Sequence, residues 1–378
     1  MAQAHRCAAG FVLPMTDTAL ATPLTATPLA SWMGSGDPQI RIAPAHGVLS
    51  PVQLDAFPAE IAALASDAAL HDLGWLRRIK VRGEDRFRWL SGMVTNTVND
   101  LGPAAGAWNL VLNAQGRILG DLTVWRKNDK LEIEFTAGQA ERLLAHLEHF
   151  IIMDDVELVP REDKTAIGLT GPRAGQVLAR LGLPPLAAAM THVAADWNGL
   201  HLRVRRGFGT LADHYELWTT TATVGKLWKY LVTGGATPVG FNALEAFRIA
   251  EGIPAYGIDM MERYLPQEIS QTRALHFNKG CYLGQEIVER IRSRGLVHRH
   301  LLHLELDGPV PPAGTALTLE GAEAGHITSA CELPLPAGIR RFALAMVRTE
   351  AEARNLPLQY AAAEAAGTAR LLAGPPTL

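Results

Sequence analysis

The sequence predicts an α+β fold made of two copies of a strand–helix–hairpin–helix unit, followed by a small C-terminal β-barrel. Three observations carry this expectation. "IKVRGEDRFRWL" runs from an apolar strand through Gly83 into helical spacing, and "IGLTGPRAGQVLARL" does the same around Gly171. Each is followed by an alternating strand and an amphipathic helix: "LEIEF" and "AERLLAHLEHF" after the first, "YELWTT" and "VGKLWKYL" after the second. After His298 the texture changes to short alternating runs, "LLHLEL", "TALTL", "GHITSA" and "RFALAMV", separated by Gly and Pro clusters, as in a small barrel.

Residues 1–50 are rich in Ala, Thr and Pro, as in "ATPLTATPLASW", and show no sustained period. They read as a loosely ordered arm, with ordered structure beginning near Leu54. Residues 51–160 form the first α+β unit, whose second helix carries Leu143, Leu144 and Leu147 on one face. Residues 161–297 form the second, with Val224, Leu227, Trp228 and Leu231 in the equivalent place. The offset of roughly 90 residues suggests internal duplication, although any α+β chain looks repetitive at this level. "NALEAFRIAEGIP" is a further helix, ended by Gly252 with Pro254 behind it. Residues 298–378 form the barrel, with "AGPPTL" as a frayed end.

A chain of 378 residues with 48% hydrophobic and 19% charged residues has ample material for buried cores. The net charge of -3 is not the footprint of a broad nucleic-acid surface, and direct nucleic-acid binding is not expected. No apolar run reaches the roughly 18 residues of a membrane span. Three cysteines, Cys7, Cys281 and Cys331, make no disulfide framework and no zinc spacing. A reducing, cytoplasmic setting is expected.

Cys281 lies in "NKGCYLGQEIVER", bracketed by Gly280 and Gly284 and preceded by Lys279. A helix pattern starts at or just after Gly284, with Ile287, Val288 and Ile291 on its apolar side and Glu286 and Arg290 as an i,i+4 pair on the wet side. A thiol just before a helix N-terminus and beside a lysine is placed to ionise. The alternative is a small buried hydrophobe, which is how Cys331 in "GHITSACELPL" reads.

"KGCYLGQEIVER" resembles the K-G-C-aromatic-x-G-Q-E signature of the YgfZ branch of the folate-binding YgfZ/GcvT-like family, matching every specified position. "HDLGWLRRIKVRGEDRFRWLSGMVTNTVNDL", "LNAQGRILGDLTVWR", "RIAEGIPAYGIDM" and "AGHITSA" resemble other family segments in the right order, over roughly residues 54 to 350. The resemblance implies that the duplicated units form a folate-binding core around a central hole, with tetrahydrofolate or a derivative as cofactor. It further implies a role in assembly or repair of iron–sulfur proteins, including enzymes that thiolate tRNA. The partners would then be reduced folate and iron–sulfur client or scaffold proteins, and a monomer is expected.

On that resemblance Glu251 offers a carboxylate to the pterin, whose N–H donors suit a carboxylate acceptor. Without it, Glu251 reads as a surface residue paired with Arg248. Asp121 in "GRILGDL" is the second candidate, against a solvent-facing strand residue. The related glycine-cleavage T-proteins resemble this stretch but carry two adjacent acids, where this chain has Gly120-Asp121. Lys279, Gly280, Gln285 and Glu286 complete the expected folate-binding set, with Cys281 as the working thiol. His298, His300 and His303 share a strand but lack a completing Cys or carboxylate, so no metal site is expected. Arg290, Arg292, Arg294 and Arg299 form a basic strip that could meet a glutamate tail or an RNA, or simply be solvated. The competing functions are a folate-dependent aminomethyltransferase and a cysteine hydrolase using His276.

Overall fold

The computed structural model describes residues 23–34, 40–295, 297–362 and 365–378. Ordered structure begins earlier than the composition suggests. Helix α1 (Pro28–Met33) precedes a hairpin of β1 (Arg41–Ala45) and β2 (Val48–Gln53). Leu29 enters the core of the second unit, and Thr27 and Ser50 both donate to the buried carboxylate of Asp72. The expectation of a loose arm through residue 50 is corrected for these segments: two turns of helix and a short hairpin are too brief to show a period in a Pro- and Thr-rich stretch. Cys7 lies outside the described residues.

After α2 (Phe57–Ser66) and β3 (Ala69–Asp72), the first unit runs β4 (Leu76–Arg82), α3 (Arg86–Met93), β5 (Gly106–Leu112), β6 (Ile118–Lys127), β7 (Lys130–Thr136), α4 (Ala140–His149) and β8 (Glu157–Pro160). The second runs β9 (Lys164–Thr170), α5 (Ala174–Arg180), β10 (Thr191–Trp197), β11 (Leu200–Arg206), β12 (His214–Thr220), α6 (Val224–Thr233) and β13 (Thr237–Pro238). The sheet orders are β5-β6-β7-β4-β8 and β10-β11-β12-β9-β3-β13. Strand, helix, three-strand meander and helix recur in one order, so the duplication is real, and each expected hairpin is a meander. The division at residue 160 is not clean, because β3 pairs with β9 in the second sheet, Ala69 opposite Thr170.

Helices α3 and α4 cover one face of the first sheet through Trp89, Leu90, Leu143 and Leu147. Helices α5 and α6 do the same for the second through Val177, Leu178, Leu227 and Leu231. The uncovered faces meet through charge. Arg205, fully buried on β11, pairs with Glu134 and lies 3.5 Å from carboxylate oxygens of Glu132 and Glu216. Its guanidinium also lies over Trp125 and Trp218. Burial raises the Glu134 carboxyl pKa, against the pull of Arg205.

Helix α7 (Phe241–Ala250) joins α2 on the barrel, where Ile61, Leu64 and Phe247 meet Cys331, Leu333 and Phe342. Helix α8 (Gln285–Arg294) leads into the closed barrel of β14 (Arg299–Asp307), β15 (Ala316–Leu319), β16 (Ala322–Leu335), β17 (Gly338–Arg348), β18 (Leu358–Ala362) and β19 (Ala365–Leu371), with α9 (Thr349–Arg354) between β17 and β18. Asp259 pins the loop after α7 to this barrel by accepting from Thr328, Ser329, Arg248 and the Ala255 amide. Among the described residues, no helix is long and apolar enough to cross a membrane.

Candidate functional site

Asp121 lies in the middle of β6, half-buried, opposite Leu110 of β5. Its Oδ2 accepts from Trp108 Nε1 at 2.8 Å and its Oδ1 from Gln139 Nε2 at 3.0 Å. Gln139 returns its own oxygen to the Asp121 amide at 3.0 Å. Burial raises the carboxyl pKa, and the bonds from Trp108 and Gln139 and the charge of Arg273 oppose that rise. Asp121 is therefore not a solvent-facing strand residue. A Cβ at Gly120 would stand 2.6 Å from Gln139 Oε1 and 2.8 Å from Leu143 Cδ2. Gln139 and Leu143 fill the space that an acid at position 120 would need.

Glu251 caps the C-terminus of α7. Its Oε1 accepts the amides of Thr210 at 2.9 Å and Leu211 at 3.1 Å, Ala212 adds to the same cradle, and Thr210 Oγ1 donates to the Glu251 carbonyl. One carboxylate oxygen is thus already committed. Arg248 is not its partner; that guanidinium pairs with Glu245 and Asp259. Burial pushes Glu251 up to about 7 despite three backbone amides. The carboxylate lines a cleft of about 260 Å³ together with Phe208, Thr210, Gln271, His303 and the chain end at Leu372–Pro375.

Between these two acids lies a residue that sequence reasoning missed. The Arg273 guanidinium is sandwiched between the rings of Trp108, 4.2 Å to the centroid, and Phe208, 3.9 Å. Its Nε donates to Gln271 Oε1 at 3.1 Å. Burial pushes its pKa down to about 10, while Asp121 and then Glu251 pull the other way. One aromatic comes from the first sheet, the other from the loop after β11, and the arginine from the segment after α7. The site is assembled from both units.

The segment Val94–Asn96 ties this site to the cysteine loop. Asn96 Nδ2 donates to the carbonyls of Trp108 and Arg273, at 2.9 and 2.8 Å. Lys279 Nζ donates to the carbonyls of Val94 and Asn96, both at 2.6 Å. Lys279 therefore faces inward as an anchor, and burial pushes it down to about 7. This corrects its expected place as a cation beside the thiol or the folate. Gln285 is also turned to its own loop, accepting the Tyr282 amide at 3.2 Å. Glu286 is exposed, and the i,i+3 ion pair of α8 is Glu289–Arg292 instead of Glu286–Arg290. A Cβ on Gly280 would meet nothing within 4 Å, whereas one on Gly284, with φ of 81°, would stand 2.6 Å from the Asn113 carbonyl. Gly284 is the glycine the loop requires. It seats α8 on the β5–β6 turn, where Gly116 meets Ile287.

Cys281 is exposed and Cys331 is buried, with its thiol pushed up to about 12. His300 bonds Glu352 at 2.6 Å, and His303 is held neutral by burial, at about 4. Among the described residues, no group of three or more His, Cys, Asp and Glu could hold a metal ion. The basic strip is dispersed: Arg292 lies over Phe277, and Arg299 pairs with Glu268 at 2.8 Å.

The family described as GCVT N-terminal domain matches residues 41–279, which span both units and include Asp121, Glu251 and Arg273. The chain belongs to that family. The family described as CAF17, C-terminal beta-barrel domain, matches residues 298–377, which makes the chain a YgfZ/CAF17 member of the GCVT group. An aminomethyltransferase of Rubrobacter xylanophilus is 29% identical over 80% of this chain and 82% of its own length. One from Geobacillus kaustophilus is 29% identical over 75% and 80%. The crystal structure of glycine cleavage system aminomethyltransferase T from Bartonella henselae superimposes with a TM-score of 0.83 at 20% identity, covering 93% of this chain and 98% of that one. That likeness concerns the GcvT fold.

Proposed function

We propose that this chain is a tetrahydrofolate-binding protein of iron–sulfur cluster assembly or repair, with Cys281 as its working thiol. The observation that carries the folate reading is that Asp121 and Glu251, brought from the two units, both act on the guanidinium that Trp108 and Phe208 clamp. A pterin carries N–H donors along one edge and suits carboxylate acceptors set this way. The residues present fit it: Glu251 would accept pterin N–H groups, Asp121 would sit toward the reduced ring, and the clamped Arg273 would close the far edge of the slot. Tetrahydrofolate supplies a one-carbon carrier. The chain's own contribution is to bind, orient and exclude water.

The thiol reading is supported by exposure of Cys281 on a loop that shares the Val94–Asn96 anchor with the slot. Thiolate is also the soft ligand and nucleophile that iron–sulfur chemistry uses. The substrate would be a cluster-bearing client or scaffold protein, and a reducing compartment such as the cytoplasm suits an open thiol. The test is complementation of a deletion strain with Cys281→Ser, scored by a cluster-containing enzyme and by thiolated tRNA. Failure with normal protein levels and retained folate binding supports the reading; full rescue removes the thiol from it.

A second reading, folate-dependent aminomethyl transfer, draws on the names of the bacterial relatives. Against it stands the acid pair. Only Asp121 is present, both its oxygens are engaged, and Gln139 fills the room for a neighbour. Turnover of a methylamine-loaded lipoyl carrier decides between the two.

A further inference from the structure

Arg273 has a cation's desolvation without a cation's usual partner. It is clamped on both faces by Trp108 and Phe208. Its Nε is used by Gln271, and its own carbonyl is held by Asn96. No described carboxylate lies within ion-pair distance, and neither η nitrogen has a described acceptor, although Asp121 and Glu251 are close enough to act on its charge. A guanidinium stacked on two rings can bond only in its own plane. Nε fills one part of that edge, and the η nitrogens leave the rest open. The η nitrogens of this half-buried arginine are reachable from solvent, so a ligand acceptor can take their open in-plane directions.

We propose that Arg273 is the residue that sets which pterins the site accepts, by donating from its η nitrogens to the 4-oxo oxygen of the bound ring. The inference rests on the folate reading above. In a 4-oxo pterin, that oxygen lies beside N3–H and the 2-amino group. Glu251 faces the donors and Arg273 faces the acceptor, so together they complement that edge. A 4-amino ring turns a donor toward a donor, and the site rejects it through an unmade bond on each side. Because the ligand bonds edge-on, it continues the plane that Trp108 and Phe208 already bound.

The test is calorimetry on the full-length protein with three probes: tetrahydrofolate, 6-methyltetrahydropterin without a glutamate tail, and a 2,4-diamino tetrahydro analogue. The wild type should prefer the 4-oxo rings by about tenfold or more. Arg273→Met should lower that ratio severalfold, leaving only the share that Glu251 sets through N3–H. Arg273→Lys, which keeps charge and stem but loses the planar fork, should also lose most of it, and it serves if the Met variant does not fold. Wild-type binding with an unchanged ratio in both variants overturns the assignment to Arg273 alone. Weakening confined to the tailed ligand also overturns it, by making Arg273 a reader of glutamate carboxylates. No binding of any pterin by the wild type overturns this inference and the folate reading together.

Discussion

At the residue scale, the two acids named by the sequence are set at different tasks by their surroundings. Glu251 titrates near 7 because burial opposes its charge. Its raised pKa means that the unliganded fold gains stability from it below the ordinary value of 4.5 and loses that gain as pH rises toward 7. Ligand binding runs the other way, because only the carboxylate accepts pterin N–H groups well. Folate affinity should therefore increase between pH 6 and pH 8, and Glu251→Gln, which keeps an oxygen for Thr210 and Leu211, should flatten the profile; titration calorimetry across that range checks it. The two described thiols should differ as sharply. Iodoacetamide at near-neutral pH should label exposed Cys281 at least about tenfold faster than Cys331, followed by peptide mass spectrometry. Asp121, Glu251 and Cys281 could be named as candidates because each sits in a motif that resembles a family segment. Arg273, Trp108 and Phe208 were not: they meet only through packing of segments roughly 65 to 165 residues apart, and "QTRALHF" has no period to mark its arginine. Lys279 was misread for a related reason, since sequence adjacency to Cys281 says nothing about where a long side chain turns.

At the element scale, the cysteine motif is a seat for a helix on a turn. Gly284 starts α8 in the left-handed region and lets the loop approach Asn113, while Gly116 makes room for Ile287. Gly284→Ala should cost about 1–2 kcal/mol in left-handed strain, more if the Asn113 contact cannot relax. It should also loosen the loop around Cys281; denaturant titration and limited proteolysis read the two effects. Strands and helices with clear alternation, such as β7, α4 and α6, were legible as elements. The transfer of β3 into the second sheet was not, because pairing across roughly a hundred residues leaves no local signature.

At the scale of the whole molecule, two duplicated layers turn their helices outward and meet through a buried charged cluster, with the barrel held on by α7 and Asp259. Arg205 is the hub of that meeting, serving Glu134 directly with Glu132 and Glu216 close by. Arg205→Met should destabilise the protein by about 3–5 kcal/mol, because it strands buried carboxylates, and urea unfolding measures the loss. The same face-to-face arrangement brings Trp108 of one unit and Phe208 of the other to the Arg273 guanidinium, so one folate site would draw on both units. Titration of tetrahydrofolate into the wild type and Glu251→Ala tests it most directly. The wild type should bind saturably and the variant should not, while the variant stays folded with a melting temperature lowered only by the lost acceptor of the Thr210 and Leu211 amides. Equal binding by both proteins, or no binding by the wild type, would contradict it.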